Sequence, residues 1–334
     1  MRRLTIAPGP ELPWRAPEQL CHHIPVPSAN RWRTTYRPIQ IHLINLRFQS
    51  VVATKTSARA VAKTASGPIG VFDSGVGGLT VAKALRELLP NERIVYLGDT
   101  ARLPYGNKSA STVERYSLEI AEMLVAEDAK IIVVACNSAS SVALPKLQQT
   151  FPVPVIGVIR PGAEAAIRVT RNRHIGVIGT RATIKSGAYE KALHDLDANV
   201  HVTSRACPLL VPLIEEGWLQ DELTDRVIIR YITPLVREGI DTLVLGCTHY
   251  PLLTPAIKRA FASAVKLVDS ARNCATAVQQ LLDRESLRAP SESDGSLEVA
   301  LTDAPDNFLG VAKEALQLDI DEVQLREVLH GALR

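Results

Sequence analysis

The 334-residue sequence predicts an α/β protein made of two facing, doubly wound α/β domains of similar topology, with its site in the cleft between them. Three observations predict this. From Ile69 onward, short β-branched runs alternate with amphipathic stretches, the pattern of parallel strands covered by helices on both faces. Several of the runs end in turns that carry Gly, Asp, Cys, Asn and Ser, and in open α/β sheets ligands collect beyond the carboxyl ends of the strands. The order also recurs: two Ile-Gly-Val strands begin 106 residues apart, at Ile69 and Ile175, and two cysteine turns stand 111 residues apart, at Cys136 and Cys247.

In chain order, Ile69 to Phe72 reads as the first strand and runs into Asp73-Ser74-Gly75-Val76-Gly77-Gly78, with a helix from Leu79 to Leu89. Ile94 to Leu97 is a strand ending in Gly98-Asp99-Thr100, followed by a helix from Val113 to Ala126. Ile131 to Ala135 runs into Cys136-Asn137-Ser138, and Val153 to Val158 closes the first set. The second set opens with Ile175 to Ile178, which ends in Gly179-Thr180, and continues with Val200 to Thr203. A helix from Asp221 to Val236 leads to the strand Thr242 to Leu245 and its turn, Gly246-Cys247-Thr248-His249. Val265 to Val268 is the last strand of the pattern and Ala271 to Leu287 the helix after it. Residues 68–160 with 270–334 are expected to form the first domain, and 161–269 the second.

Composition excludes several classes. The chain is 46% hydrophobic, 22% charged and 4% aromatic, and no apolar run approaches the roughly 20 residues of a spanning helix. Five cysteines without a CxxC pair argue against a disulfide framework or a structural zinc site, and favour a reducing, cytoplasmic setting. The net charge of +3 is unevenly spread. Residues 1–67 hold ten Lys or Arg against two acids, which leaves 28 basic and 33 acidic residues in the rest. A slightly acidic body does not suit a nucleic-acid binder.

Residues 1–67 are expected to be a poorly ordered basic extension, since they are rich in Pro, Thr, Ser and Arg and hold no lasting period beyond Ile39 to Phe48. A disordered tail or upstream sequence from a mis-assigned start is favoured there over a targeting leader. Cys21, His22, His23 and His42 lack the further ligand that a metal site needs, so no metal is assigned.

A lone Cys after a buried strand is usually a small hydrophobe, and Cys21, Cys207 and Cys274 keep that reading. Cys136 and Cys247 differ: they stand at equivalent strand ends, each followed by hydroxyl, amide or imidazole groups. If the two halves face each other, the thiols lie on opposite sides of one cleft. Such symmetry suits the removal of a proton from one face of a tetrahedral carbon and its return to the other. A free Cys, with a pKa of about 8.5, is mostly protonated at neutral pH, so both need tuning by neighbours such as Asp73 and His249.

These residues resemble a known family. Asp73-Ser74-Gly75-Val76-Gly77-Gly78-Leu79-Thr80-Val81, Gly98-Asp99-Thr100-Ala101-Arg102-Leu103-Pro104-Tyr105-Gly106, Ala135-Cys136-Asn137-Ser138-Ala139-Ser140 and Gly246-Cys247-Thr248-His249-Tyr250-Pro251-Leu252 are similar to motifs of the glutamate racemases, in the cofactor-independent aspartate/glutamate racemase superfamily. The resemblance spans residues 68 to about 310. It implies two facing α/β domains, no cofactor, and interconversion of L- and D-glutamate for bacterial peptidoglycan, hence for cell-wall biogenesis and cell shape. Carried over by motif, Cys136 and Cys247 are the acid/base pair, with Asp73, His249 and Glu215 as assisting groups. Asp73, Ser74, Tyr105, Gly106, Asn137, Ser138, Thr248 and His249 are the substrate-binding candidates. Ser138 stands where the family more often has Thr, and keeps the hydroxyl.

Read by themselves, some of these residues have plainer roles. Gly75 to Gly78 lacks a GK[ST] or GxGxxG pattern and so does not suit nucleotide binding; its glycines either let backbone amides reach a substrate carboxylate or make a tight turn, and Asp73 is either a ligand or a helix cap. Tyr105 is either a hydroxyl donor or a packing residue, and Glu215 is either an assisting group or an exposed acid at a turn. Three rival functions remain. One is a racemase of another acidic amino acid, chiefly aspartate, in whose branch Glu tends to follow the second Cys-Thr in place of His249. A Cys-His hydrolase or transferase would use Cys247 and leave Cys136 idle. A regulatory role in binding DNA gyrase is a side role within the family. The expected partner is a small-molecule substrate, with a homodimer as the candidate assembly and no membrane or nucleic acid.

Overall fold

The computed structural model describes residues 65–304, 308–318, 320 and 322–328. The expectations for residues 1–64, including the leader and the Cys21, His22, His23 and His42 cluster, lie outside the described residues. Among the described residues, no helix is long and apolar enough to cross a membrane.

Two parallel sheets organise the chain. The first is built from β1 (Ile69–Asp73), β2 (Ile94–Gly98), β3 (Ile131–Val134) and β4 (Val155–Gly157), in the order β2-β1-β3-β4. The second is built from β5 (His174–Gly179), β6 (His201–Ala206), β7 (Thr242–Gly246) and β8 (Lys266–Asp269), in the order β6-β5-β7-β8. The two orders are the same permutation. Ile69 pairs with Ile94 and Ile131 in the first sheet, as Ile175 pairs with Val202 and Thr242 in the second. The predicted internal repeat is therefore present as topology, with Cys136 after β3 and Cys247 after its counterpart β7.

Parallel strands need helical crossovers, and these cover both faces of each sheet. Ile69, Val71 and Tyr96 pack under α1 (Leu79–Leu88) and α11 (Ser270–Arg284), while Phe72, Val95 and Val134 pack on α2 (Ala110–Ala126). With neighbours on both sides, β1, β2 and β3 are wholly buried, which is why they read as continuous apolar runs. In the second sheet, Leu243 and Leu245 face α8 (Leu210–Glu215), α9 (Glu222–Arg237) and α10 (Thr254–Phe261). Ile175, Val177 and Val244 face α5 (Ile159–Val169) and α7 (Ala188–His194). The chain enters the second sheet through α5 and leaves it through α11.

The structure departs from the sequence expectation at several points. Helix α2 starts three residues before Val113, because the Ser109 side chain accepts from the Thr112 amide and caps the extra turn. Strand β4 is shorter than the predicted Val153 to Val158, since Pro154 has no amide to donate to a ladder. The first sheet also carries two further strands, β9 (Leu297–Leu301) on β2 and β10 (Val323–Leu325) on β9. Between them lies α12 (Phe308–Leu316).

Candidate active site

The carboxyl ends of β1, β3, β5 and β7 open onto one cavity of about 650 Å³, including its open mouth. Ser74, Tyr105, Gly106, Cys136, Asn137 and Ser138 line it from the first sheet's loops; Thr180, Glu215, Cys247, Thr248 and His249 line it from the second's. Both thiols are reached from the same space although each is only 5% exposed. Ten of the eleven sequence-predicted site residues thus meet in one place.

Asp73 is the exception. It is fully buried behind the wall, and its Oδ2 accepts from the amides of Gly75 and Gly78, both at 3.0 Å. The reading of this loop as an amide cradle for a substrate carboxylate is corrected accordingly: these two amides are bound to Asp73, and of Asp73 to Gly78 only Ser74 lines the cavity. The glycines serve close approach instead. A Cβ on Gly78 would fall 2.3 Å from the Asp73 Cβ, and one on Gly77 would fall 2.4 Å from His249 Nδ1. Asp73 also reaches across the cleft, where Thr248 Oγ1 donates to its Oδ1 at 3.4 Å. Burial raises its carboxyl above the ordinary value, partly offset by the nearby His249 charge and the two amides.

The surroundings of the two sulfurs differ. Cys136 precedes the short helix α3 (Asn137–Val142), with Ser74 Oγ 3.9 Å from its Sγ. Burial first, and then the Asp73 charge, pushes this thiol well above its ordinary value, so it rests protonated. Cys247 Sγ lies 3.8 Å from His249 Nδ1, and His249 Nε2 lies 3.2 Å from Glu215 Oε1. Burial acts to lower the His249 value, but hydrogen bonds to Cys247 and Glu215, with the charges of both, outweigh it and push the imidazole up to about 10. The ring is therefore a cation at neutral pH, placed between a sulfur and a carboxylate.

Tyr105 needs a second correction. Its ring lines the cavity, but its hydroxyl donates to the buried carboxylate of Asp99, so it is not free to donate to a substrate. Asp99 also accepts from Arg102 Nε at 2.7 Å and from Thr302 Oγ1 at 3.0 Å, and Arg102 stacks on the Tyr116 ring at 4.1 Å. This network fixes the turn that presents Gly106, whose absent Cβ would stand 2.6 Å from Thr180 Cβ. Ser138, Thr180 and Thr183 form a hydroxyl cluster, with Ser138 Oγ 2.9 Å from Thr180 Oγ1 and 3.4 Å from Thr183 Oγ1. Cys207 and Cys274 are buried, with burial pushing both thiols up to about 12, and neither lines the cavity.

Sequence reasoning missed Asp99, Thr180 and Tyr189 as parts of the site. Thr180 had a signal, since it ends β5 much as Asp73 and Ser74 end β1. Tyr189 gave none: it lies within α7, yet its hydroxyl donates to Asn137 Oδ1 at 2.7 Å, 52 residues away in sequence. Among the described residues no cluster of His, Cys, Asp and Glu has the form of a metal site.

Comparison with known proteins agrees with this geometry. The family model described as Asp/Glu/Hydantoin racemase matches residues 77–278. The chain is 51% identical to a glutamate racemase of Geobacter metallireducens over 248 residues, which covers 74% of this chain and 92% of that one. The solved glutamate racemase RacE1 of Bacillus anthracis superposes with a TM-score of 0.75 at 41% identity, over 78% of this chain and 98% of the other. The glutamate racemase of Francisella tularensis, solved with D-glutamate, gives 0.74 at 35% identity, over 79% and 98%. With matches of this length and identity, the chain belongs to the Asp/Glu/hydantoin racemase family.

Proposed function

We propose that this protein is a glutamate racemase that inverts the α-carbon with two thiols and no cofactor. The observation that carries the reading is that Cys136 and Cys247, at matching strand ends of two sheets of the same order, line one cavity. The sulfur on one face takes the Cα proton as a thiolate, and the opposite thiol gives its proton to the other face. The carbon is inverted and the two sulfurs exchange protonation states, so the product form of the enzyme is ready for the reverse reaction. Burial and the Asp73 charge hold Cys136 as the thiol, and the His249 imidazole, whose value is raised, lies 3.8 Å from the Cys247 sulfur. The family pattern, in which Cys247 is the base toward the L enantiomer and Cys136 the base toward the D enantiomer, fits this placement.

Glutamate is favoured over aspartate by His249 after Thr248, and by relatives that are glutamate racemases, one of them solved with D-glutamate. Asn137, Ser138 and Thr248 bind the substrate with Ser74 and Gly106, while Asp73, Glu215 and His249 set the charge around the sulfurs. The product then serves bacterial peptidoglycan. A cytoplasmic enzyme, a homodimer, and domains of 68–160 with 270–334 and 161–269 complete the proposal. Cys136→Ala and Cys247→Ala test it: each should abolish racemisation of both glutamate enantiomers while both proteins stay folded. Full activity in Cys136→Ala together with its loss in Cys247→Ala would instead favour hydrolase-like chemistry at Cys247.

A further inference from the structure

Tyr189 stands where α5, α7, α11 and β7 meet, and only 2% of it is exposed. Gly162 in α5 and Gly246 at the end of β7 leave room for its ring: a Cβ on Gly246 would come within 3.0 Å of Cε2, and one on Gly162 would lie 3.4 Å from the hydroxyl. From this position the hydroxyl donates to Asn137 Oδ1 at 2.7 Å. Burial keeps the phenol protonated, and a hydrogen bond from Ser270 works in the other direction without reversing this.

The consequence falls on the other end of the Asn137 amide. Asn137 is 2% exposed and lines the cavity, and its Nδ2 has no hydrogen-bond partner among the described residues. A buried N–H₂ group without a partner is costly, and native proteins keep few of them. A carboxamide can present either its oxygen or its nitrogen, and the two ends differ in sign toward an anion. With Oδ1 held by Tyr189, the donor end is the one left over.

We propose that Tyr189 is a positioning residue that locks the Asn137 carboxamide with its Nδ2 donors available to a carboxylate oxygen of the substrate. Without the Tyr189 hydroxyl the amide can rotate and present an acceptor to that carboxylate, which repels it. Tyr189 belongs to the second sheet's helices and Asn137 opens α3, the helix after the first sheet's β3, so the bond also joins the two halves beside the sulfurs.

The inference rests on the glutamate reading, and a double-mutant cycle separates the two. In full-length protein, Tyr189→Phe should raise KM for D-glutamate roughly three- to tenfold, as expected for one lost hydrogen bond, with kcat changed by less than about twofold. In an Asn137→Ala background the same change should have almost no effect on KM, because its target is gone. The ¹⁵N-labelled Asn137 side-chain amide should also shift on addition of D-glutamate in the native protein, and respond less in Tyr189→Phe. That signal reads the amide directly if the variant is too unstable for kinetics. An equal KM effect in both backgrounds, an unchanged KM in the single variant, or an identical amide response in both proteins overturns the role of Tyr189. If the native protein turns over no glutamate, the glutamate reading itself fails.

Discussion

At the scale of single residues, burial acts to lower the His249 value but its interactions with Cys247 and Glu215 outweigh it, and that makes its pH behaviour predictable. Its value is raised in the folded protein, so the stabilisation from its partners is complete below the ordinary histidine value and is lost as pH rises through about 10. Glu215→Gln removes one partner, so the alkaline limb of kcat/KM should move to lower pH, as a pH–rate profile would reveal; an unmoved limb would detach Glu215 from this role. Tyr105 leads to a different expectation. Its hydroxyl serves Asp99, so Tyr105→Phe should leave KM for glutamate within about twofold while lowering stability by about 1–3 kcal/mol, measured by denaturant unfolding. The cysteines and His249 were legible in sequence because each belongs to a local motif. The Asp99–Tyr105 and Tyr189–Asn137 bonds were not, because side-chain direction and a contact 52 residues apart leave no trace in spacing.

At the scale of elements, the strands that carry the site were legible and their edges less so. Strands β1, β3, β5 and β7 are central and covered on both faces, so burial writes a continuous apolar run. Strand β10 has three half-buried residues at the sheet's edge, and so little burial marks no pattern. The turn after β1 is specified by space as much as by propensity. Gly78→Ala would drive a methyl group into the Asp73 side chain, 2.3 Å away, so it should cost stability and most of the activity together. Ser109→Ala removes only the α2 cap, away from the cavity. It should lower unfolding free energy by about 1 kcal/mol and leave kcat unchanged.

At the scale of the whole molecule, the repeat was visible as two near-equal offsets in sequence and returns as one strand order used twice. What the offsets could not give is the asymmetry laid over that repeat. Strands β9 and β10 extend only the first sheet, and a carboxylate stands near Cys136 where a histidine stands beside Cys247. Equivalent backbone thus carries two sulfurs in opposite electrostatic settings, which suits one proton donor and one proton acceptor around a single carbon. Racemisation of L-glutamate in deuterium oxide, stopped early, tests this most directly. The account predicts deuterium at Cα in the D-glutamate formed, with little in the remaining L-glutamate, because the incoming hydron is held by a different sulfur from the one that took the proton. Equal labelling of both enantiomers from the first turnovers would mean that one group exchanges the proton on a single face, and would contradict it.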